Sequence, residues 1–159
     1  MKKLNIISTS KDSTSKILSN LSHTPFIYGG YSFYSVESAL QGIKFEDHKE
    51  RLKVFKMKGL DALKAGRKLN ENSKGKRYVY WDDKRILYNS DSHRLLISTF
   101  IREKVRQNLS VQKALISTEN FFIYHDAGIE NKKTSLPERL FIEILLSERK
   151  ILLKLKSLK

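Results

Sequence analysis

The chain has 159 residues, with 31 Lys and Arg against 17 Asp and Glu, a net charge of +14 and no cysteine. One domain of this length buries roughly two thirds of the surface its unfolded form exposes, so it needs no covalent staple. The lack of cysteine excludes disulfides and thiolate metal sites and makes a reducing compartment, the cytoplasm of a cell or of a host, the expected location. The opening MKKLNIISTS has too short an apolar patch for a signal-peptide core, and no run is long enough to span a membrane.

In chain order, residues 8–16 (STSKDSTSK) read as a polar loop with no core-building capacity, inside a variable N-terminal segment 1–16. Ile27 to Phe33, aromatic and Gly-rich, fits a short strand or turn. Ser35 to Phe45 reads as a helix with Ser35 as N-cap. Glu46–Met57 and Leu60–Ala65 continue helically, with Gly59 as a break and Gly66 as a C-terminal cap. Asn70 to Arg77 is a basic loop, Arg77 to Trp81 a short strand, and Ser90 to Asn108 a helix with apolar positions at Leu95, Leu96, Phe100, Ile101 and Val105. Ser110 can cap another short helix, Phe121–Tyr124 suits a buried strand, and Pro137 in a first turn opens a final helix. The tail ERKILLKLKSLK, residues 148–159, reads as the basic end of that helix, with a membrane-surface or partner-binding helix as the alternative. No repeat and no linker divides the chain, so 1–159 is read as one domain.

The helix from Ser35 carries the most chemical information. At about 100° per residue, offsets of four and seven return Glu37, Gln41 and Lys44 to nearly one azimuth, beside an apolar face of Val36, Ala39, Leu40 and Ile43. An acid, an amide and an amine are thereby offered to one place, although a solvated polar face has the same pattern. Glu37 falls in the first turn, where the helix dipole favours its ionised form.

The charge excess favours polyanionic partners such as nucleic acids, nucleotides and phosphorylated metabolites, and a lysine-rich genome produces the same bias. Trp81, the single tryptophan, is either a stacking platform or a core aromatic. His23, His48, His93 and His125 lack metal-ligand spacing, Gly29-Gly30 makes no dinucleotide fingerprint, and no Ser-His-Asp set stands out. No metal and no cofactor is called for.

The order LSNL (Leu18–Leu21), Pro25-Phe26, VESALQGIKF (Val36–Phe45), AGRK (Ala65–Lys68), Trp81 and REKVRQN (Arg102–Asn108) resembles the NADAR family of YbiA-like N-glycosidases, over roughly residues 16–126. The resemblance implies a mainly helical α+β fold, a single compact YbiA-like domain with a few short strands. It also implies cleavage of an N-glycosidic bond at a ribose carbon, in phosphorylated intermediates of riboflavin synthesis for some members and in ADP-ribosylated guanine of nucleic acid for others. The family's E-x-x-x-Q-x-x-K pattern falls on Glu37, Gln41 and Lys44, its asparagine on Asn20, its G-R pair on Gly66 and Arg67, and its tryptophan on Trp81. Chemically, a carboxylate at Glu37 suits a cationic sugar or the activation of water. Lys44 can hold a phosphate or attack an opened sugar as an amine, Gln41 can fix a ribose hydroxyl, and Arg67 can fork onto a phosphate or remain a surface charge.

The chain departs from that pattern near its end. The family's D-x-x-W-G element is replaced by YHDAGIENKKTSLPERLF, which keeps Asp126 without the tryptophan. Ser38 stands where a larger residue is common. Either Asp126 or Glu130 supplies the missing acid, or substrate or turnover has changed. The expected activity is N-glycosidase on an ADP-ribose-like or phosphorylated ribose compound, with ADP-ribosylated guanine in nucleic acid favoured because +14 exceeds what a small anion needs. A module that sequesters an ADP-ribose-derived nucleotide and a basic nucleic-acid-binding protein are the alternatives.

Overall fold

Four aromatic rings fix the middle of the molecule. In the computed structural model, which describes residues 1–128 and 134–159, Phe26, Phe33, Phe55 and Phe100 are at most 2% exposed. Their ring centroids lie 4.6 to 6.0 Å apart in stacked, edge and tilted pairs, the geometry the ring quadrupole favours. Around them the chain runs β1 (Lys2–Asn5), α1 (Ser13–Leu18), β2 (Phe26–Tyr28), β3 (Tyr31–Phe33), α2 (Val36–Gly42), α3 (His48–Phe55), α4 (Gly59–Glu71), β4 (Tyr78–Trp81), β5 (Lys84–Leu87), α5 (Asp91–Gln107), α6 (Leu109–Ser117), β6 (Phe121–Tyr124) and α7 (Glu138–Ser157).

The strands make three two-stranded sheets: β1 with β6 in parallel, and the antiparallel hairpins β2–β3 and β4–β5. Gly29 and Gly30 turn the first hairpin at φ 60° and 83°, and Asp82 and Asp83 turn the second at φ 51° and 58°. Two consecutive left-handed residues match the twist of a tight hairpin, and aspartate tolerates that region better than most side chains. The central helix α5 buries Leu96, Ile97, Phe100, Ile101, Lys104 and Val105 at three- and four-residue spacing, one stripe facing the core. α7 docks on it through Glu148, which is 2% exposed and receives Arg102 at 2.8 Å and Arg106 at 3.0 Å.

Several sequence expectations are corrected. Residues 8–16 contain the start of α1, capped by the Asp12 side chain at Ser15 N–H. Ser15 is fully buried, its hydroxyl lying between the carbonyls of Asn5 and Ile7 and accepting from Ile7 N–H, so a serine serves as core because its hydrogen bonds are met internally. Gly59 starts α4 and Gly66 lies inside it. Asn108, not Ser110, precedes α6, Pro137 sits at the cap position of α7, and β5 was not expected. In the tail, α7 continues to Ser157 with Ile151, Leu155 and Leu158 between 44% and 75% exposed, so apolar as well as basic side chains face water there. Among the described residues, no helix is long and apolar enough to cross a membrane.

Candidate active site

The site is built on the first turn of α2. Ser35 Oγ accepts from Ser38 N–H at 3.1 Å, and Ser35 N–H donates to Ser38 Oγ at 2.9 Å. This is a reciprocal capping box closed by a short buried serine. Beside it runs the Ser19–Ser22 turn, whose Asn20 carbonyl accepts Glu37 N–H at 2.9 Å. The side-chain oxygen of Asn20 is buried beside it with no hydrogen-bond partner among the described residues. Native structures rarely leave such an acceptor unmet, and functional sites are where exceptions gather.

Glu37, Gln41 and Lys44 form one hydrogen-bonded row. Gln41 Nε2 donates to Glu37 Oε1 at 2.7 Å, and Lys44 Nζ donates to Gln41 Oε1 at 2.8 Å. Since an ammonium can only donate, the amide is oriented by its two neighbours. α2 ends at Gly42, so Lys44 stands in the following turn, its N–H on Gln41 C=O at 3.2 Å, rather than on the helix. α4 crosses the row at Gly66, where a Cβ would lie 1.7 Å from Gln41 Oε1. That close approach, not a helix end, explains this glycine.

Burial raises the Glu37 carboxyl above its ordinary range, against the hydrogen bond from Gln41 and the positive charges of Lys44 and Arg67. Desolvation here works against the helix dipole, worth about 0.3–1 kcal/mol, which favours the ionised form at this first-turn position. Burial also brings Lys44 down to about 8, with Glu37 opposing and Arg77 and Arg67 assisting. An acid and an amine shifted toward neutrality from opposite sides are suited to exchanging protons or charge with a bound molecule.

Beyond Lys44 lies a cavity of about 240 Å³ bounded by Arg77, Tyr78, Tyr80, Tyr88 and the polar end of α4. The Arg77 guanidinium sits 4.1 Å from the Tyr88 ring centre. His93, 1% exposed, packs on Tyr88 and accepts Asn89 N–H at Nδ1. Burial, together with Lys44, Arg94 and Arg77, lowers it to about 4, so it is neutral. A larger concavity of about 600 Å³ lies between β6 and α7 and contains none of the row. Glu37, Lys44 and His93, whose pKa values burial shifts, converge at the row and not in that concavity.

A profile described as bacteriophage protein GP30.3 matches residues 13–150. The chain belongs to that family. It is 27% identical over 130 residues to an uncharacterised 17.1 kDa protein from the gp30–rIII intergenic region of enterobacteria phage T4, covering 80% of this chain and 85% of the phage protein. Its fold is that of the Escherichia coli protein YbiA, whose NMR structure superposes with a TM-score of 0.68 at 18% identity over 99% of this chain and 88% of that one. The mainly helical α+β reading and the YbiA-like resemblance are therefore borne out at the level of the fold.

The other sequence-derived residues are placed as follows in this GP30.3 member. Arg67 is exposed, one residue past the Gly66 crossing, and close enough for its charge to act on both Glu37 and Lys44. Trp81 points to the opposite side of β4 from Tyr80. It stacks on Tyr28 at 5.6 Å and meets Tyr31 and Phe100 edge-on at 5.5 Å each, within the aromatic core. Asp126 is exposed at the end of β6, where its carboxylate accepts Gly128 N–H and its main chain pairs with the Asn5 side chain. Among the described residues, none of its hydrogen bonds reaches the row. Glu130 lies outside the described residues. Within them, no three His, Asp or Glu side chains come together as a metal site.

REKVRQN proves to be a clamp. Lys104, fully buried, donates to Ser19 C=O at 2.7 Å and to Ser22 Oγ at 3.1 Å, which fixes the Asn20 turn from beneath. Gln107 pairs with both main-chain groups of Ile27, and Asn108 holds Pro25 C=O. The sequence reading missed Arg77, Tyr88 and His93. His93 was weighed only for metal spacing, and a signal for the others would have been the hairpin that brings Tyr88 back opposite Arg77.

Proposed function

We propose that this protein is an N-glycosidase cleaving the bond between a ribose anomeric carbon and a nitrogen base in an ADP-ribose-like or phosphorylated ribose compound, with ADP-ribosylated guanine in nucleic acid favoured. The observation that carries the reading is the row Glu37–Gln41–Lys44, hydrogen-bonded end to end beside the unmet Asn20 Oδ1. As the C–N bond breaks, its electron pair leaves with the base and positive charge builds on the sugar, which a carboxylate stabilises. Water then adds to the anomeric carbon. One water proton passes to Glu37, whose raised affinity makes it a stronger base than a surface glutamate, and on to the departing nitrogen. Asn20 Oδ1 offers an acceptor to a ribose hydroxyl, while Gln41 keeps one N–H and one lone pair free for another. Lys44 and Arg67 supply positive charge for a phosphate.

Separating free ADP-ribose from base by chromatography tests this, with an ADP-ribosylated guanine oligonucleotide, NAD and a ribosylated pyrimidine phosphate as parallel substrates. Release by wild type and its loss in Glu37→Gln is the expected result. Equal turnover on free nucleotide with no salt dependence would remove nucleic acid as the substrate. Since Lys44 is partly neutral near its lowered pKa, borohydride added during turnover distinguishes amine attack, which leaves an adduct on Lys44, from direct hydrolysis. Because, among the described residues, the Asp126 carboxylate is bonded to Gly128 and not to the row, a sequestering module is the second reading. It requires tight binding of ADP-ribose with no product from any substrate.

A further inference from the structure

We infer that the outward face of the β4–β5 hairpin is a platform for single-stranded nucleic acid, gripping nucleotides that flank the one at the Glu37 row. The inference deepens the proposed function and rests on it only for what occupies the row. Tyr78 pairs with Leu87 and Tyr80 with Arg85 in the ladder, and directly opposed residues share a face. The other face, Val79 and Ile86, packs on the core, so Tyr78, Tyr80, Arg85 and Leu87 point away from it. The exposed Arg85 lies 4.1 Å from the Tyr78 ring centre, while the buried Arg51, bonded to the carbonyls of Phe45 and Glu46, lies 5.8 Å from that of Tyr80 and braces it from behind. Tyrosine rings beside an exposed arginine plane are a surface on which bases stack without regard to sequence, while the Arg85 charge meets phosphate.

The platform is continuous with the site. Tyr78 and Tyr80 also line the cavity that opens on Lys44, together with Lys74, Lys76 and Arg77. The opposing charges are Glu46 at the cavity rim and Asp82 and Asp83 at the hairpin turn. The acidic turn directs the polyanion toward the Arg77 end, where cations are concentrated. A small anion filling 240 Å³ has no use for Arg85 or Leu87, whereas a strand entering that cavity passes over both. Charge and aromatic faces thus match one partner, a flexible polyanion with exposed bases.

Fluorescence anisotropy with a short, unmodified, labelled oligothymidylate tests the platform without requiring turnover. Arg85→Glu, at an exposed position that does not endanger folding, should weaken binding about tenfold at low salt. Lys113→Glu makes the same change of charge on the exposed side of α6, which packs on α1, α5 and α7, and should weaken it less than about threefold. Tyr78→Leu should weaken binding about fivefold or more and keep that deficit at high salt, since stacking is not screened. Equal losses in Arg85→Glu and Lys113→Glu, no binding by wild type, or full competition by duplex DNA would each overturn the inference. If Arg85→Glu cleaves an ADP-ribosylated oligonucleotide as fast as wild type, the platform fails while the glycosidase stands. If wild type binds oligothymidylate as described but releases no product from any substrate, the reverse holds.

Discussion

Gly66→Ala asks whether α4 must present bare backbone to Gln41. The added Cβ lies 1.7 Å from Oε1, 2.6 Å from Cδ and 3.2 Å from Cβ of Gln41. The oxygen it strikes is not a free tip, because it holds Lys44 Nζ at 2.8 Å while the nitrogen of the same amide holds Glu37 at 2.7 Å. Displacing the amide releases two hydrogen bonds to charged or titrating partners, each worth about 1.5–3 kcal/mol. Alanine in a helix interior returns about 1 kcal/mol. The balance is a loss of about 2–5 kcal/mol, read from urea unfolding followed by far-UV circular dichroism. In a Gln41→Ala background the 1.7 and 2.6 Å contacts are gone and the 3.2 Å contact to Cβ stays, so the same change should cost less than about 1 kcal/mol there. Stability equal to or above wild type, the sign that helix propensity alone gives, or an equal cost in both backgrounds would refute the reasoning.

Three further outcomes follow from the buried charges. His93 is lowered from 6.5 to about 4, so the unfolded chain binds the extra proton across that window and stability falls as pH drops through it, by up to about 3 kcal/mol. His93→Gln should flatten this fall in urea midpoints. Lys104 is lowered from 10.5 to about 7 and Lys44 from 10.5 to about 8, so stability rises with pH between those limits as the unfolded chain keeps protons the folded one has lost. Lys104→Met should move the onset of the rise from near 7 to near 8; an unchanged onset would show that Lys104 titrates normally. Glu148→Ala removes the acceptor shared by Arg102 and Arg106, which are 33% and 53% exposed and can rehydrate, so the loss should be about 2 kcal/mol, less than for a fully buried pair. Calorimetry checks it, and a neutral result would make that contact incidental.

The row was legible because it is local: helical spacing puts Glu37 and Gln41 on one line, the turn that ends α2 at Gly42 carries Lys44 to the same side, and the capping serine fixes where that line starts. The long amphipathic α5 was legible through its period and the strand at Phe121 through its apolar, aromatic run, although that strand is not buried as expected, since Phe122 is 53% exposed. What was not legible depends on contacts between distant segments. Ser15 reads as loop until Asn5 and Ile7 supply its partners, and Gly66 reads as a helix end until Gln41 lies against it. Lys84–Leu87 lacks the alternation of a half-buried strand and is held in place by its partner β4. REKVRQN drew attention as a family signature, and only the fold separates its clamp on Ser19, Pro25 and Ile27 from chemistry.

The parallel pairing of β1 with β6 has a consequence for synthesis. The bond between His125 and the Ile6 carbonyl joins residues 119 apart. At ribosomal speeds of 5–20 residues per second, the earlier strand waits about 6–24 s for its partner to emerge. Everything from Asn20 to Lys104, including both hairpins, the row, and the Phe100 and Lys104 contacts that hold them, can meanwhile collapse. Closing the ring between the two distant strands is then the late, slow event, set by the entropy of a long loop rather than by the strength of four residue pairs. The order of synthesis thus allows the pocket to assemble before the fold is finished.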